Sequence, residues 1–407
     1  MDPGLALLTT VVSARTAEVV VIGGGVAGLS TARALVELGL TDVLVLERDA
    51  VGSGGTGKSS GIVRCHYGIP SLAAMAWRAL PVLEDAAEIL GAPSGYTRTG
   101  YLVGVGHQNL AALRANVDMQ QALGIRVVLM DHEAAGALWP AARLDEFAEF
   151  AYEPCGGFGD GHQTALAFAT AAKRGGARLR QHAPVVSVQV RAGRATGVVL
   201  ADGSHVGAAH VVLAAGPWST ALARGVGIDL PVRAQRAQIL LVAPGRPPGA
   251  LPVFSDLVSL QYVRTDGDGQ ILLGDSDHSD PEWADPDGYR ERVSDDELAA
   301  AVPKFAHRFP GFEGASLARS YAGCYDVTPD YNPIISASAV EGIWLCAGFS
   351  GHGYKISPSV GELMADLITS GASRHPDIDP HDFRWGRFAE EDPLLSPHPY
   401  VGAGQMR

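Results

Sequence analysis

Residues 18–47 read EVVVIGGGVAGLSTARALVELGLTDVLVLE and predict one continuous structural unit. An apolar run, Val19–Ile22, leads into Gly23–Gly28, where glycine is the main residue type. An Ala/Leu-rich stretch with helical spacing follows, and a second apolar run ends at Glu47. This order predicts a strand, a tight turn, a helix, a second strand and an acidic residue.

The glycine turn has the spacing of a nucleotide-binding motif. Gly23 permits the tight turn, Gly25 lets the backbone approach a pyrophosphate, and Gly28 lets the helix pack close to the strand. The first helical residues, Val26 and Ala27, would offer free N–H groups and the positive end of the helix dipole to phosphates.

Glu47 completes the motif. It follows Gly28 by 19 residues, a position from which an acid accepts hydrogen bonds from a ribose. An ordinary glycine-rich turn would explain the glycines alone, but it would not explain the whole strand–helix–strand unit together with the acid. The unit therefore predicts a dinucleotide site.

The composition describes a globular chain. At 407 residues, with 47% hydrophobic and 18% charged residues, the chain has enough apolar side chains for two or three domains. A formal net charge of −13 argues against a nucleic-acid partner. No apolar run reaches the ~20 residues that span a bilayer, so no membrane partner is expected.

The N-terminus and the cysteines bear on where the protein is located. The segment MDPGLALLTTVVSAR has no basic residue before its apolar stretch, so no signal peptide is expected. The cysteines are scattered and form no CxxC pair: Cys65, Cys155, Cys324 and Cys346. This pattern favours neither a disulfide framework nor a metal site, and it is typical of the reducing cytoplasm.

Two styles of predicted strand divide the chain. Apolar strands that alternate with helices favour a parallel sheet (18–47, 211–216, 343–347), whereas strands of alternating polarity favour an antiparallel sheet (98–105, 235–275). Helices are predicted over 71–90, 107–123, 133–139, 163–174, 294–307 and from Pro358 to about Ser370.

The predicted fold class is therefore mixed α/β. It combines a Rossmann-like nucleotide domain with an inserted, mainly antiparallel β substrate domain. The predicted nucleotide domain comprises residues 1–95, 151–230 and 318–384, and the substrate domain comprises 96–150 and 231–317. Residues 385–407 are predicted to be a C-terminal tail that either packs on the protein or remains loose.

Four segments resemble the D-amino-acid oxidase and sarcosine oxidase family of flavoproteins, and they are closer to the sarcosine oxidase branch. They are VVVIGGGVAGLSTARALVELG from residue 19, SGIVRCHYG at 60–68, YAGCYDVTPDYNPII at 321–335 and AGFSGHGYKISPSVGEL at 347–363. The resemblance implies the family's fold, FAD as the cofactor and oxidation of an amine C–N bond.

The last of these segments is expected to face the flavin. Its glycines let backbone N–H groups approach a ligand closely. Ser357 and Pro358 predict the N-cap and first residue of a helix whose N-terminus would stabilise negative charge on the reduced ring. The cofactor-binding residues predicted in this loop are Gly348, Gly351, His352, Gly353 and Lys355.

The resemblance also implies a substrate site. Arg64 and Lys355 match the two cations that hold the substrate carboxylate in the family, and a planar guanidinium suits that task. Tyr67 and Tyr325 match tyrosines of the substrate cavity. A structural ion pair for Arg64, and core packing for either tyrosine, are the alternatives. The remaining predicted cofactor contacts are Arg48, Ser59, Ser60, Val186, Ala215 and Gly216.

Two departures from the family pattern concern the flavin. Relatives with a covalent flavin attach it to a cysteine at the position of Gly323, whereas Cys324 is one residue away. FAD is therefore predicted to bind non-covalently. The lysine that activates oxygen in the family is matched by Leu272, and Arg264 is the candidate replacement cation.

A third departure concerns the substrate. A family active-site histidine is matched here by Ser276. His278 lies two residues further on, along a predicted strand where that offset keeps the same face. This departure leaves open a substrate other than sarcosine.

The predicted function is FAD-dependent oxidation of the C–N bond of an amino acid or N-substituted amino acid. The imine product hydrolyses, and oxygen accepts the electrons to give peroxide. One alternative is an FAD dehydrogenase that passes electrons to a carrier or partner subunit, which Leu272 favours. The others are a non-catalytic flavin-binding assembly protein, and flavin chemistry on a biosynthetic intermediate without a free carboxylate.

Overall fold

A computed structural model describes residues 16–267 and 269–402. The prediction that no signal peptide is present concerns residues 1–15 and lies outside the described residues. Within the described ranges, the helices are α1 (Val26–Glu37), α2 (Pro70–Glu84), α3 (Ala86–Ile89), α4 (Leu110–Ala122), α5 (His132–Leu138), α6 (Gly161–Arg174), α7 (Ser219–Arg224), α8 (Asp295–Arg308) and α9 (Gly353–Thr369).

Strands occupy both the nucleotide motif and the middle of the chain. They are β1 (Thr16–Ile22), β2 (Val43–Leu46), β3 (Ile62–Val63), β4 (Thr97–Arg98), β5 (Tyr101–Val105), β6 (Val128–Met130), β7 (Glu149–Glu153), β8 (Gly157–Phe158), β9 (Arg178–Arg180), β10 (Val185–Arg191), β11 (Arg194–Leu200), β12 (His205–Leu213), β13 (Arg233–Ala243), β14 (Val253–Asp256), β15 (Gln261–Asp266), β16 (Gln270–Asp275), β17 (Ser316–Val327), β18 (Ile334–Ala337) and β19 (Ile343–Ala347).

The nucleotide motif forms the centre of the first sheet. Strand β1 pairs in parallel with β2 and β12, so that Val20 lies between Leu44 and Val211. Strands β9 and β19 extend the parallel set, while β10 and β11 add antiparallel pairs at one edge. Helix α1 is buried from Val26 to Val36 because its small and apolar residues pack on the sheet and the neighbouring helices. The parallel arrangement predicted for the apolar strands is confirmed.

The second sheet is mainly antiparallel, with strand order β17-β13-β16-β15-β14-β5-β7-β6. Only the β14–β5 pair among these neighbours is parallel. A short third sheet joins β3, β8 and β4. The predicted fold class, a Rossmann-like domain with an inserted antiparallel substrate domain, is confirmed.

The domain boundaries remain a proposal, and two strands bear on them. Strands β7 and β17 cross the predicted boundaries at 150/151 and 317/318. Strand β17 pairs with β13 along its whole length, from Ser316 to Val327, inside the second sheet. We therefore propose that the substrate domain includes both strands entirely.

Helix α9 begins five residues before the predicted start. Pro358 lies inside the helix, and His352 is its N-cap, so the prediction of Ser357 as N-cap was wrong. Pro358 has no N–H to donate to the carbonyl of Tyr354, but the Ser357 hydroxyl donates to that oxygen at 2.8 Å. The Ser-Pro pair therefore lies inside the helix, where the serine hydroxyl replaces the backbone hydrogen bond that proline cannot form.

The C-terminal tail packs on the protein over the residues that the structure describes. Arg387 is fully buried and pairs with Asp330 at 2.7 Å, and Tyr400 is also buried. Of the two predicted alternatives, packing is the one observed for residues 385–402.

None of the described helices combines the length and the apolar character that a membrane-crossing helix needs.

Candidate active site

A cavity of about 760 Å³ is lined by residues of both large sheets. Its wall includes the glycine turn, the loop at 53–59, the end of β17 and the loop that precedes α9. Thirteen of the predicted site residues lie in this wall: Gly23, Gly25, Val26, Ala27, Glu47, Arg48, Ser59, Val186, Ala215, Gly216, Tyr325, Gly351 and Gly353.

The N-terminus of α1 opens onto the cavity. Its N-cap, Gly25, has no side chain that could cap the helix, and the first turn contains no acidic residue. The Val26 N–H donates to the Thr56 hydroxyl at 3.2 Å. Gly28 is not in the wall. A Cβ at this position would lie 2.2 Å from the carbonyl oxygen of Gly23. The turn therefore depends on Gly28 for packing, and the helix end suits an anionic group.

Glu47 is held against the glycine turn. Its two carboxylate oxygens accept the N–H groups of Gly24, at 2.6 Å, and Asp49, at 2.7 Å. Each carboxylate oxygen has a second acceptor position. The side chain therefore keeps the capacity to accept hydrogen bonds from a ribose.

Five predicted cofactor residues lie outside the wall: Gly28, Ser60, Gly348, His352 and Lys355. Gly348 differs most from the expectation, because its N–H donates to the carboxylate of Asp326 at 2.7 Å instead of facing a ligand. Asp326 itself lines the cavity, and burial raises the pKa of its carboxyl group to about 6.

Arg64 and Lys355 come together behind this wall. Both are 6% exposed, and the charge of Arg64 contributes to the electrostatic environment of Lys355. The Lys355 ammonium donates to the carbonyl of Gly351, a wall residue, at 3.2 Å. Burial, and then Arg64, lower the pKa of Lys355 well below its usual value. Two distant cations thus share one buried region.

Aromatic side chains enclose the two cations. The Arg64 guanidinium lies 4.4 Å from the centre of the Tyr67 ring, and that ring meets His352 edge-on at 5.3 Å. His352 Nε2 contacts the carbonyl of Tyr331 at 3.1 Å, so this nitrogen carries the proton. Burial, Lys355 and Arg64 lower the pKa of His352. The His352 ring is therefore neutral, and its Nδ1 can accept a hydrogen bond.

Leu272 occupies an apolar patch. It packs with Ile239 and Leu241, and Ile239 is a wall residue of the cavity. Arg264, the candidate replacement cation, pairs with Asp266 at 2.8 Å and donates to the carbonyl of Ser60 at 2.7 Å. The charge of Arg264 is therefore already engaged by a carboxylate.

Two other sequence predictions near the site have different outcomes. His278 lies beyond the end of β16 at Asp275, so its predicted place on a strand was wrong; its Nδ1 contacts Gln235 Nε2 at 3.1 Å. Cys324 lines the cavity, and burial raises the pKa of its thiol to about 11. A thiol with this pKa is almost entirely protonated at neutral pH.

Residues 286–291 form a segment that lines the cavity and that the sequence did not predict. Asp287 accepts hydrogen bonds from Arg48, at 2.9 Å, and from the Trp218 indole, at 2.8 Å. Glu291 pairs with Lys58 at 2.9 Å. This segment follows β16 without regular structure, and no sequence motif marked it. Thr56 was also missed, although its place in the glycine/serine stretch after Glu47 was a usable signal.

The comparisons with known proteins agree with this geometry. The family model for FAD-dependent oxidoreductases named DAO matches residues 18–367. The chain belongs to the DAO family of FAD-dependent oxidoreductases. The predicted resemblance and the predicted cofactor, FAD, are confirmed.

Relatives of this FAD-dependent oxidoreductase include sarcosine oxidase subunit beta from Arthrobacter sp, 26% identical over 87% of this chain and 87% of the relative. 4-Methylaminobutanoate oxidase (formaldehyde-forming) from Paenarthrobacter nicotinovorans is 28% identical over 86% of this chain. The chain spans only 43% of that relative and 45% of rat dimethylglycine dehydrogenase. These relatives support the sarcosine oxidase branch.

Solved structures show the same fold. L-proline dehydrogenase from P. horikoshii has a TM-score of 0.85 and 25% identity, covering 93% of this chain and 99% of that one. Glycine oxidase from Geobacillus kaustophilus has a TM-score of 0.75 at 23% identity, covering 90% of this chain and 98% of that one.

The cavity wall fits FAD. The N-terminus of α1, whose first turn has no acidic residue, suits the pyrophosphate, and the Glu47 carboxylate suits the ribose. A Cβ on Gly25 would lie 3.0 Å from Thr56 Oγ1, so the glycine keeps this approach to the backbone open.

Proposed function

We propose that this protein oxidises the C–N bond of an α-amino acid or N-substituted amino acid whose carboxylate is bound by Arg64 and Lys355. The observation that carries the proposal is electrostatic. Two cations are buried together, and neither forms an ion pair with a carboxylate of the described residues; Glu153 acts on Arg64 through its charge alone. Buried cations without an ion-pair partner are unfavourable, so the site favours an anionic ligand.

The names of the relatives support the same substrate class. Sarcosine, dimethylglycine and 4-methylaminobutanoate each carry a carboxylate and a methylated amine, and these compounds appear in the names of similar enzymes. An amine with a carboxylate matches a site that offers two cations and a neutral imidazole.

The residues would divide the work of binding and orientation. The Arg64 guanidinium and the Lys355 ammonium would hold the carboxylate, which fixes one end of the substrate. His352 Nδ1, which forms no hydrogen bond with the described residues, would accept one from the substrate N–H. The Tyr67 ring would exclude water from this side. FAD, when bound, supplies the two-electron oxidation, and the imine product then hydrolyses.

The test is reduction of the FAD-loaded protein by amines without oxygen. Sarcosine, dimethylglycine, proline and glycine are each compared with the corresponding carboxamide, and the visible flavin absorbance is followed. We expect bleaching by at least one carboxylate, and at least tenfold weaker reduction by its amide, since a charge-assisted hydrogen bond contributes about 1.5–3 kcal/mol. Equal reduction by acid and amide would contradict the carboxylate site.

Two variants separate the site from general effects on the protein. Arg64→Met removes the guanidinium, and we expect it to abolish the preference for the carboxylate. Arg78→Met is the matched control, because Arg78 pairs with Asp377 on the surface and does not line the cavity. If no carboxylated amine reduces the flavin in any variant, a non-catalytic flavin-binding role is favoured instead.

A second candidate function is an FAD dehydrogenase that passes electrons to a carrier or partner subunit. The apolar surroundings of Leu272 and the ion pair of Arg264 favour it, because neither residue offers a free cation for oxygen chemistry. Peroxide production with oxygen as the only acceptor supports the oxidase. Turnover only with an artificial dye supports the dehydrogenase.

We also propose that the protein works in the reducing cytoplasm. The four cysteines are free, and three of them are buried: Cys65, Cys155 and Cys346. A chain without disulfides is suited to a compartment that keeps thiols reduced. Localisation of a tagged full-length chain tests this proposal.

A further inference from the structure

The segment that carries Arg64 is held from behind by buried polar side chains. Glu153 accepts the N–H of Cys65 at 2.7 Å, and Gln120 donates to the carbonyl of Tyr67 at 2.9 Å. Both side chains are at most 2% exposed. The backbone on either side of His66 is therefore fixed by groups that do not face the cavity wall.

The C-terminal segment completes this support. The Ser396 hydroxyl donates to the carbonyl of Gly68 at 3.1 Å. Tyr400 lies with its hydroxyl 2.7 Å from His66 Nε2, and the two rings stack with centres 5.9 Å apart. Asn109 holds the end of the segment by accepting the N–H of Val401 at 2.8 Å. Residues 394–402 therefore pack against the segment that carries Arg64.

A continuous set of contacts links Tyr400 to Arg64. The Arg64 guanidinium donates from Nη1 to the backbone carbonyl of His66, and the His66 ring is held by Tyr400. Burial, and then Arg64, lower the pKa of His66 to about 3, and burial raises the pKa of Tyr400. Both groups are neutral at neutral pH, so their hydrogen bond sets geometry without adding charge.

We propose that Tyr400 is a positioning residue for substrate binding, and that residues 394–402 are a functional part of the substrate site. Tyr400 fixes His66, and His66 fixes the guanidinium of Arg64 through its carbonyl group. This inference rests on the proposed role of Arg64 in binding a carboxylate. It assigns to residues 394–402 a role in affinity for the carboxylate and none in binding FAD.

The experiment uses the full-length, FAD-loaded protein and Tyr400→Phe, which keeps the stacked ring and removes one hydroxyl. Binding of benzoate and of its neutral analogue benzamide is titrated by the change in the visible flavin spectrum. Loss of one neutral hydrogen bond predicts about 3- to 10-fold weaker benzoate binding, with benzamide binding unchanged. With a substrate, KM rises by the same factor and kcat stays within about twofold.

Tyr96→Phe is the matched control. It removes a tyrosine hydroxyl that donates to the carbonyl of Cys155 at 2.6 Å, outside the set that links Tyr400 to Arg64. We expect its ratio of benzoate to benzamide affinity to equal that of the unaltered protein. If Tyr400→Phe also keeps that ratio, or loses both ligands equally, the positioning role is refuted.

Arg64→Met distinguishes failure of this inference from failure of the proposed function. Benzoate affinity that is unchanged in Arg64→Met overturns the carboxylate site itself. Affinity that falls in Arg64→Met and is unchanged in Tyr400→Phe overturns only the role of the tail. If Tyr400→Phe does not fold, Ser396→Ala, which removes the contact with Gly68, must weaken benzoate selectively for the inference to stand.

Discussion

Lys355→Met should make the protein more stable and a worse binder of carboxylates. The Lys355 ammonium is buried, has Arg64 as a like-charged neighbour, and donates to a single carbonyl, that of Gly351. Methionine has nearly the same length and no charge. The substitution therefore removes the charge while it preserves most of the packing.

The gain in stability follows from the lowered pKa. The unfolded chain binds a proton at Lys355 up to a pH near 10.5, whereas the folded chain releases it at lower pH. The unaltered protein therefore pays the full cost of this buried charge at pH values below the lowered pKa, and its stability rises with pH through the window between the two values. Replacing buried ionic groups by apolar residues of similar volume is often neutral or stabilises proteins by about 1–4 kcal/mol, and a charge that has no ion-pair partner belongs on the stabilising side of that range.

The same substitution should weaken the binding of carboxylates. A charge-assisted hydrogen bond to a carboxylate contributes about 1.5–3 kcal/mol, so benzoate should bind about 10- to 150-fold more weakly to the variant. Benzamide, which carries no charge, should bind nearly as well as before.

The assay combines thermal unfolding of the FAD-loaded protein, over a series of pH values, with ligand titrations. We expect the gain in stability to be largest at low pH and to shrink as the pH approaches 10.5. A variant that is less stable than the original and still binds benzoate equally well would refute the reasoning, because Lys355 would then act only through packing and its hydrogen bond with Gly351.

Three further predictions concern the cofactor site. Gly28→Ala places a Cβ 2.2 Å from the Gly23 carbonyl oxygen, so FAD affinity, measured by fluorescence titration, should fall at least about tenfold. The control Gly136→Ala, whose Cβ meets its nearest neighbour at 4.0 Å, should bind FAD normally. Normal FAD binding by both variants would contradict the steric argument. Asp326 has a pKa raised from 3.8 to about 6, so its protonated form stabilises the fold at low pH, and the free energy of unfolding falls by on the order of 3 kcal/mol as the pH rises through 6. Urea unfolding of Asp326→Asn should lack this loss of stability. A pH profile that is the same in the variant and the unaltered protein would exclude Asp326 as its source. Acid precipitation should release all of the FAD from the unaltered protein and from Cys324→Ala, whereas flavin retained in the pellet would show a covalent link.

Local sequence signals were sufficient where the structure depends on neighbouring residues. The glycine turn, the acid at Glu47 and the apolar strands predicted the first sheet, because a parallel strand buried on both faces needs a continuous apolar run. Ser294, the first residue of the helix predicted over 294–307, is the N-cap of α8 and forms a capping box with Glu297. These signals act over a few residues and do not depend on distant packing.

The same kind of signal failed where a distant requirement was stronger. Ser357 and Pro358 form a typical helix start, yet α9 continues through them from Gly353. Gly348 is followed by a glycine loop that suits a ligand, yet its N–H donates to Asp326. In both cases a backbone group found a partner that local spacing does not reveal.

The sequence by itself determined the family, the cofactor and the two sheets, because glycine spacing, strand polarity and the four resembling segments are all local. The resemblance also predicted that Arg64 and Lys355 act on one carboxylate, whereas only the tertiary structure decided that Asp287 reaches Arg48 and that Tyr400 supports His66. The physical reason is that such contacts join residues far apart in the chain. Their partners are chosen by the packing of whole sheets and helices, which no short stretch of sequence specifies.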